Sequence, residues 1–126
     1  MCVSVYYYLL ILTLSHKVAI SFILGTYRVL IAVVIESFKC KETKRIWDGL
    51  RSSKFPNTIQ DKALRKLRQL DAAQNLNDLR NPPGNRLEAL KGDRKGQSSI
   101  RIDRQWRICF VWNNGNVSEV EIVDYH

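Results

Sequence analysis

The side chains best suited to chemistry lie towards the C-terminal end of this sequence. Of two histidines, His16 and His126, the second closes the chain in the run Asp124–Tyr125–His126. Imidazole is the side chain that exchanges a proton near neutral pH. The α-carboxylate beside this ring is an anion that favours the imidazolium, the form a general acid needs. Glu88 and Asp124 are carboxylates that can act as base or orient the ring. Arg101, Arg107 and Lys91 are cations that can hold a phosphoryl group, the arginines through paired donors. Arg94 adds a further cation in the same loop as Lys91. Such a set can support attack of a ribose 2′-OH on its own neighbouring phosphate, which needs a base, an acid and cations but no metal. Each residue also has a plainer reading. His126 can be a frayed end, Lys91 a solvated loop residue, and Tyr125 edge packing. Asp124 can pair with an arginine, and the strand arginines can bridge to Glu119 or Glu121.

These residues need elements to position them. Ile35–Lys39 reads as a short extended segment with Phe38 inward. KETKRIWDGL places Ile46, Trp47 and Leu50 at helical spacing, with Gly49 near its end. A clearer helix follows a cap at Pro56–Asn57–Thr58, with Ile59, Ala63, Leu67 and Leu70 on one stripe. Lys62, Arg65, Lys66 and Gln69 lie off that stripe and give a basic outer face. Asn81–Pro82–Pro83–Gly84–Asn85 is a breaker, and Lys91–Gly92–Asp93–Arg94–Lys95–Gly96 is a loop dense in charge. Strands come next. Ile100 and Ile102 alternate with Ser99, Arg101 and Asp103. Trp106, Ile108, Phe110 and Trp112 alternate with Arg107, Cys109 and Val111. Asn113–Asn114–Gly115–Asn116 marks a hairpin, and Val120 and Ile122 alternate with Glu119 and Glu121 after it. Helices followed by an antiparallel meander make the class α+β. Period two puts Arg101 and Arg107 on the sheet face opposite Ile100, Ile102, Ile108 and Phe110. On that expectation the arginines stand on an open face and their removal leaves no core cavity.

The 126 residues suffice for one compact domain. The chain carries +8, and all 12 acidic residues lie at or after Glu36. Only Lys17 and Arg28 of the 20 basic residues precede it, so the remainder holds 18 basic against 12 acidic groups and a net +6. A basic excess on so small a body favours a polyanionic partner. Cys2, Cys40 and Cys109 are odd in number and far apart, with no CxxC pair, which gives no disulfide or zinc framework. Cys109 reads as a small core residue, and the free thiols suit a reducing compartment. Residues 1–33 are apolar and lack acid, but His16–Lys17 and Arg28 interrupt them. No uncharged run there reaches the ~20 residues of a membrane helix, and no charge precedes the apolar run as in a secretory signal. We expect upstream sequence translated in frame, ahead of a domain over 34–126. A membrane-associated segment and an extra packed helix are the alternatives.

RLEALKGDRKG, SIRIDRQWRICFVW and EVEIVDYH resemble the HigB-type killer toxins of the RelE/ParE superfamily, the toxins of type II toxin–antitoxin systems. The early FKCKETKRIWDG fits as well, so the resemblance runs from about Ile35 to His126. It implies a RelE-like fold, with N-terminal helices on one face of a small antiparallel sheet. It implies a metal-independent endoribonuclease, without cofactor, that cuts translated messenger RNA on the ribosome in the cytoplasm. It also implies a helix-turn-helix antitoxin (HigA-like), with operator DNA bound only by the toxin–antitoxin complex and no stable membrane partner. Carried over residue by residue, the phosphate-binding lysine is Lys91, the strand arginines are Arg101 and Arg107, and the terminal cluster is Asp124, Tyr125 and His126. Two departures stand out. Glu88–Ala89 occupies the place where some relatives carry His–Pro, which removes a second histidine. Ser98 follows the glycine loop where many carry an aromatic residue, which removes a platform for stacking a base. The alternatives are a ParE-like inhibitor of DNA gyrase and a degenerate toxin that serves only as an antitoxin-binding co-repressor.

Overall fold

The computed structural model describes residues 34–125; the segment ahead of Val34 and the terminal His126 lie outside the described residues. Strand β1 (Val34–Ile35) leads into helix α1 (Lys41–Trp47) and helix α2 (Asn57–Ala72). Two 3₁₀ turns, Leu76–Arg80 and Pro83–Asn85, carry the chain to strand β2 (Glu88–Ala89). A third turn, Gly92–Arg94, precedes β3 (Ser98–Arg101), β4 (Trp106–Asn113) and β5 (Asn116–Asp124). The sheet order is β1-β5-β4-β3-β2. Among these described residues no helix is long and apolar enough to cross a membrane.

The apolar stripe read from α2 is its buried face: Ile59, Ala63, Leu67 and Leu70 are all in the core with Ile46 of α1. Ile100, Ile108, Phe110, Val117, Val120 and Ile122 of the sheet, Ile102 just after β3, and Phe55, Ala73 and Leu79 of the connecting segments complete it. Burying each large side chain contributes about 1.5–3 kcal/mol. The helices therefore cover one sheet face, as the period-two reading requires. Polar groups pin the layers together. Thr43 Oγ1 accepts a 3.0 Å bond from the Ile122 amide, which ties α1 to β5. The buried Asp71 carboxylate of α2 accepts from the Ile35 amide at 3.1 Å.

Three features differ from a plain antiparallel meander. β1 joins β5 in parallel, because the chain reaches β5 only after both helices and the other strands; Phe38 extends that pairing to Val120. Glu88–Ala89, which the periodicity leaves outside any strand, forms an edge strand against Ser98–Ser99. β5 carries a bulge: Cys109 faces Glu121 but Val111 faces Ser118, so β5 has one residue more than β4 there. Glu119 takes up the extra residue with φ of 56°, and its amide is held by Ser37 Oγ at 3.0 Å. The bulge is why Val117 and Val120, three apart, both face the core. The turn at Asn114–Gly115 has φ of 50° and 88°, the positive pair that a type I′ hairpin requires.

Candidate active face

The uncovered sheet face is built from alternate residues of β3, β4 and β5 with the edge strand β2. Register places Glu88, Ser99, Cys109 and Glu121 in one row across the four strands. Arg101, Arg107 and Val123 make the next row. Two arginines facing each other across strands repel, and here they turn apart. Arg101 donates from Nε to the Asp103 carbonyl at 2.8 Å. Arg107 turns towards Ser99, donating to its Oγ at 2.8 Å and its carbonyl at 3.3 Å. Its Nη2 also donates to the Arg86 carbonyl at 2.6 Å.

Arg107 corrects the expectation of an open-face arginine. It is only 8% exposed. Edge strand β2 brings Glu88 Oε1 to 3.7 Å from Nε, and the Tyr125 ring lies with its centroid 5.5 Å from the guanidinium carbon, a cation–π contact. Two nitrogens are committed to protein acceptors, while Nη1 makes no hydrogen bond among the described residues. The guanidinium is thus held by a fixed frame with one donor edge left over. Glu88 and Tyr125 remain about half exposed on either side of it, at 48% for the Glu88 side chain and 41% for Tyr125.

Arg94 reaches over the same face from its loop. It bonds Glu121 at 2.8 Å and the Gln97 side chain at 3.1 Å. The bond to Glu121, with further attraction from Glu121 and Tyr125, raises its proton affinity above the ordinary arginine value despite partial burial. The sequence allowed a bridge from Glu121 to a strand arginine; the loop arginine makes it instead, and Lys39 adds a weaker contact at 3.7 Å. Cys109 lies fully buried beneath this charged cover, on the open face and not among the helix-side core residues. Burial pushes its thiol pKa up, against the attraction of Arg94 and Arg107.

The other candidates separate from this cluster. Lys91 is exposed on the loop just ahead of the Gly92–Arg94 turn. Asp124 pairs in register with Trp106, one position out of phase with Arg107 and Tyr125, and its carboxylate accepts from Gln105 Nε2 at 3.0 Å. The acid and the tyrosine of the terminal run therefore serve different faces, because adjacent strand residues point to opposite sides. His126 follows Tyr125 and lies outside the described residues. Ser98 faces the core side in register with Phe110, so its departure from the aromatic pattern removes nothing from the open face; Tyr125 supplies a ring there.

Sequence reasoning missed Ser99, Gln105 and the Arg86 carbonyl, and offered Glu121 only as a partner for a strand arginine. Ser99 and Glu121 share the period-two phase of Arg107 and were findable on that ground. Gln105 and Arg86 carried no periodic signal. Gln105 clamps the chain end through its carbonyl, which accepts from the Tyr125 amide at 2.6 Å. Among the described residues no cluster of metal-binding side chains occurs.

A family model described as the RelE-like toxin of the type II toxin–antitoxin system HigB matches residues 36–126. The chain belongs to the HigB-like toxin family. It is 46% identical to Toxin HigB-1 of Vibrio cholerae over 79 residues, which cover 62% of this chain and 83% of that toxin. It is 34% identical to Endoribonuclease HigB of Proteus vulgaris over 93 residues, covering 74% of this chain and all of that protein. Among solved structures, a conserved hypothetical protein of Helicobacter pylori aligns with a TM-score of 0.43 at 15% identity, over 72% of this chain and 92% of the other. A YoeB/ParE toxin from Agrobacterium tumefaciens aligns with a TM-score of 0.38 at 18% identity, over 75% and 98%. Membership in the HigB-like family makes this a toxin of a toxin–antitoxin system, and the two-helix, sheet-backed architecture described above is the α+β body that carries it.

Proposed function

We propose that the chain is a ribosome-dependent endoribonuclease that cleaves translated messenger RNA without a metal, with the Arg107 face as its active surface. The observation that carries this reading is the framed guanidinium of Arg107, seated between Ser99, Glu88 and the Tyr125 ring one residue before His126. Its unbonded Nη1 edge meets a phosphoryl oxygen and stabilises the charge that develops there. Arg94, Arg101 and Lys91 supply further positive charge for the RNA backbone. Glu88 is better placed than Asp124 to take the 2′-OH proton, since it lies beside Arg107 while Asp124 is bonded to Gln105. His126 gives a proton to the leaving 5′-oxygen, and Tyr125 offers a ring on which a base stacks. The chain offers few candidate proton-transfer groups, so the ribosome supplies much of the alignment for in-line attack.

The partner is a helix-turn-helix antitoxin, HigA-like, and operator DNA is bound by the pair. Both act in the cytoplasm, where translated RNA is found. Expression in a bacterial host with mapping of messenger RNA 5′ ends tests the activity. Cuts within translated frames, lost on Arg107→Ala or His126→Ala at equal expression, are the expected outcome. DNA breaks linked to gyrase, or efficient cutting of naked RNA at the ribosomal rate, would overturn it.

A further inference from the structure

Asn85 ends the proline-rich breaker and is fully buried, although it is a polar residue in a connecting segment. Its Oδ1 accepts a hydrogen bond from Lys66 Nζ of α2. Its Nδ2 lies 3.1 Å from the Leu79 carbonyl, 3.2 Å from the Asn81 carbonyl and 3.2 Å from Gln69 Oε1, the last also on α2. The backbone is pinned as well, by Asn85 N to the Pro82 carbonyl at 2.9 Å and Arg86 N to the Pro83 carbonyl at 3.1 Å. A buried amide satisfied at both ends fixes its surroundings more tightly than apolar packing does.

The residue after this anchor is unusual. Arg86 has φ of 43° and ψ of 57°, in the left-handed region that a side chain other than glycine's rarely adopts. Surrounding structure must hold it there. That conformation sets the direction of the Arg86 carbonyl, which receives Arg107 Nη2 at 2.6 Å. From Ser99 the guanidinium has a firm bond only at Nε, at 2.8 Å, because the second contact, from Nη2 to the Ser99 carbonyl, is long at 3.3 Å. With Ser99 and the Arg86 carbonyl together, its plane is defined, and so is the direction of Nη1.

We propose that Asn85 is a positioning residue for Arg107: anchored to α2 by Lys66 and Gln69, it holds the left-handed turn whose Arg86 carbonyl aims the guanidinium. This also assigns a task to two polar residues of the helix's outer face, Lys66 and Gln69, which hold the site's frame from behind. The consequence for cleavage rests on the ribonuclease reading above; the consequence for the Arg107 guanidinium does not.

The test reads both in the full-length chain. Asn85→Ala is made in the wild-type and Arg107→Ala backgrounds, and single-turnover cleavage is followed on saturating mRNA-programmed ribosomes. The side-chain Nε–Hε resonance of Arg107 is followed by NMR in the variant that retains Arg107. In the wild-type background the rate falls on the order of 10- to 100-fold, the scale of a misplaced catalytic group. In the Arg107→Ala background the same change has an effect within about twofold, as expected for residues acting through one another. The Arg107 resonance shifts or broadens while circular dichroism is unchanged. A folded Asn85→Ala protein with an unshifted Arg107 resonance, or with equal rate losses in both backgrounds, overturns the proposal. If the parent protein cuts no RNA, the ribonuclease reading fails and the resonance alone decides the positioning. If Asn85→Ala does not fold, Lys66→Met at a partly exposed position removes the Oδ1 donor, and the same readouts apply with the same deciding outcomes.

Discussion

A guanidinium left 8% exposed must have most of its donors satisfied from within the protein, and Arg107 does so with Ser99 and the Arg86 carbonyl. It therefore stabilises the fold, and on the proposed function it also serves the site. Arg107→Ala strands a carbonyl and a hydroxyl and is expected to cost about 1–3 kcal/mol in a denaturant melt, in contrast to a freely exposed arginine. Arg107→Lys retains the charge but has no fork with which to bond Ser99, the Arg86 carbonyl and a phosphoryl oxygen at once. Its cleavage rate on ribosomes is expected to fall on the order of 10²-fold or more; a rate near that of the parent would remove Arg107 from the site. The thiols give a second residue-scale test. Cys109 is buried with its pKa raised by that burial. For Cys40 burial opposes ionisation, but hydrogen bonds from Thr43 and the charge of Lys54 outweigh it and bring the pKa below the ordinary thiol value. Alkylation of the native protein near pH 8, read by peptide mass, is expected to label Cys40 readily and Cys109 only on unfolding. Equal labelling of both would show that the open face is looser than described.

At the level of elements, the bulge in β5 decides which residues face the helices. It lets Val117, Val120 and Ile122 all reach the core, and it does so by holding Glu119 at φ of 56°. From alternation alone, Glu119→Val at an exposed strand position is harmless, even favourable, since valine suits strands. The bulge reverses that expectation: a β-branched residue in the left-handed region is strained. Glu119→Val is expected to destabilise by about 1–2 kcal/mol, measured as a drop in the urea midpoint. An unchanged midpoint would mean that the bulge relocates at no cost. The edge strand β2 matters for the same kind of reason. Two residues of pairing with Ser98–Ser99 suffice to bring Glu88 beside Arg107.

For the whole molecule, the core among the described residues is built from side chains of α1, α2, the sheet and their connecting segments, with Ile35 and Phe38 packed at its margin. The family model matches from residue 36 to residue 126. A chain starting at Val34 behind an initiator methionine is therefore expected to fold and to arrest growth as the full-length chain does. Expression of both lengths at matched levels, with cell fractionation, checks this. Toxicity confined to the longer chain would place residues 1–33 in the working protein.

The amino-acid pattern by itself determined the two helices, the α2 core stripe, the hairpin at Asn114–Gly115 and the phase that sets Arg107 opposite Ile108 and Phe110. These follow from local periodicity and from turn residues with positive φ, which do not depend on distant contacts. It also carried the family, through motifs spread across the domain. Only the tertiary structure decided that Arg107 is enclosed and that Arg94 takes the Glu121 bridge. Those outcomes depend on the short edge strand at Glu88, the left-handed turn at Arg86 and the clamp at Gln105. None has a period to read, because each is fixed by hydrogen bonds between segments far apart in the chain.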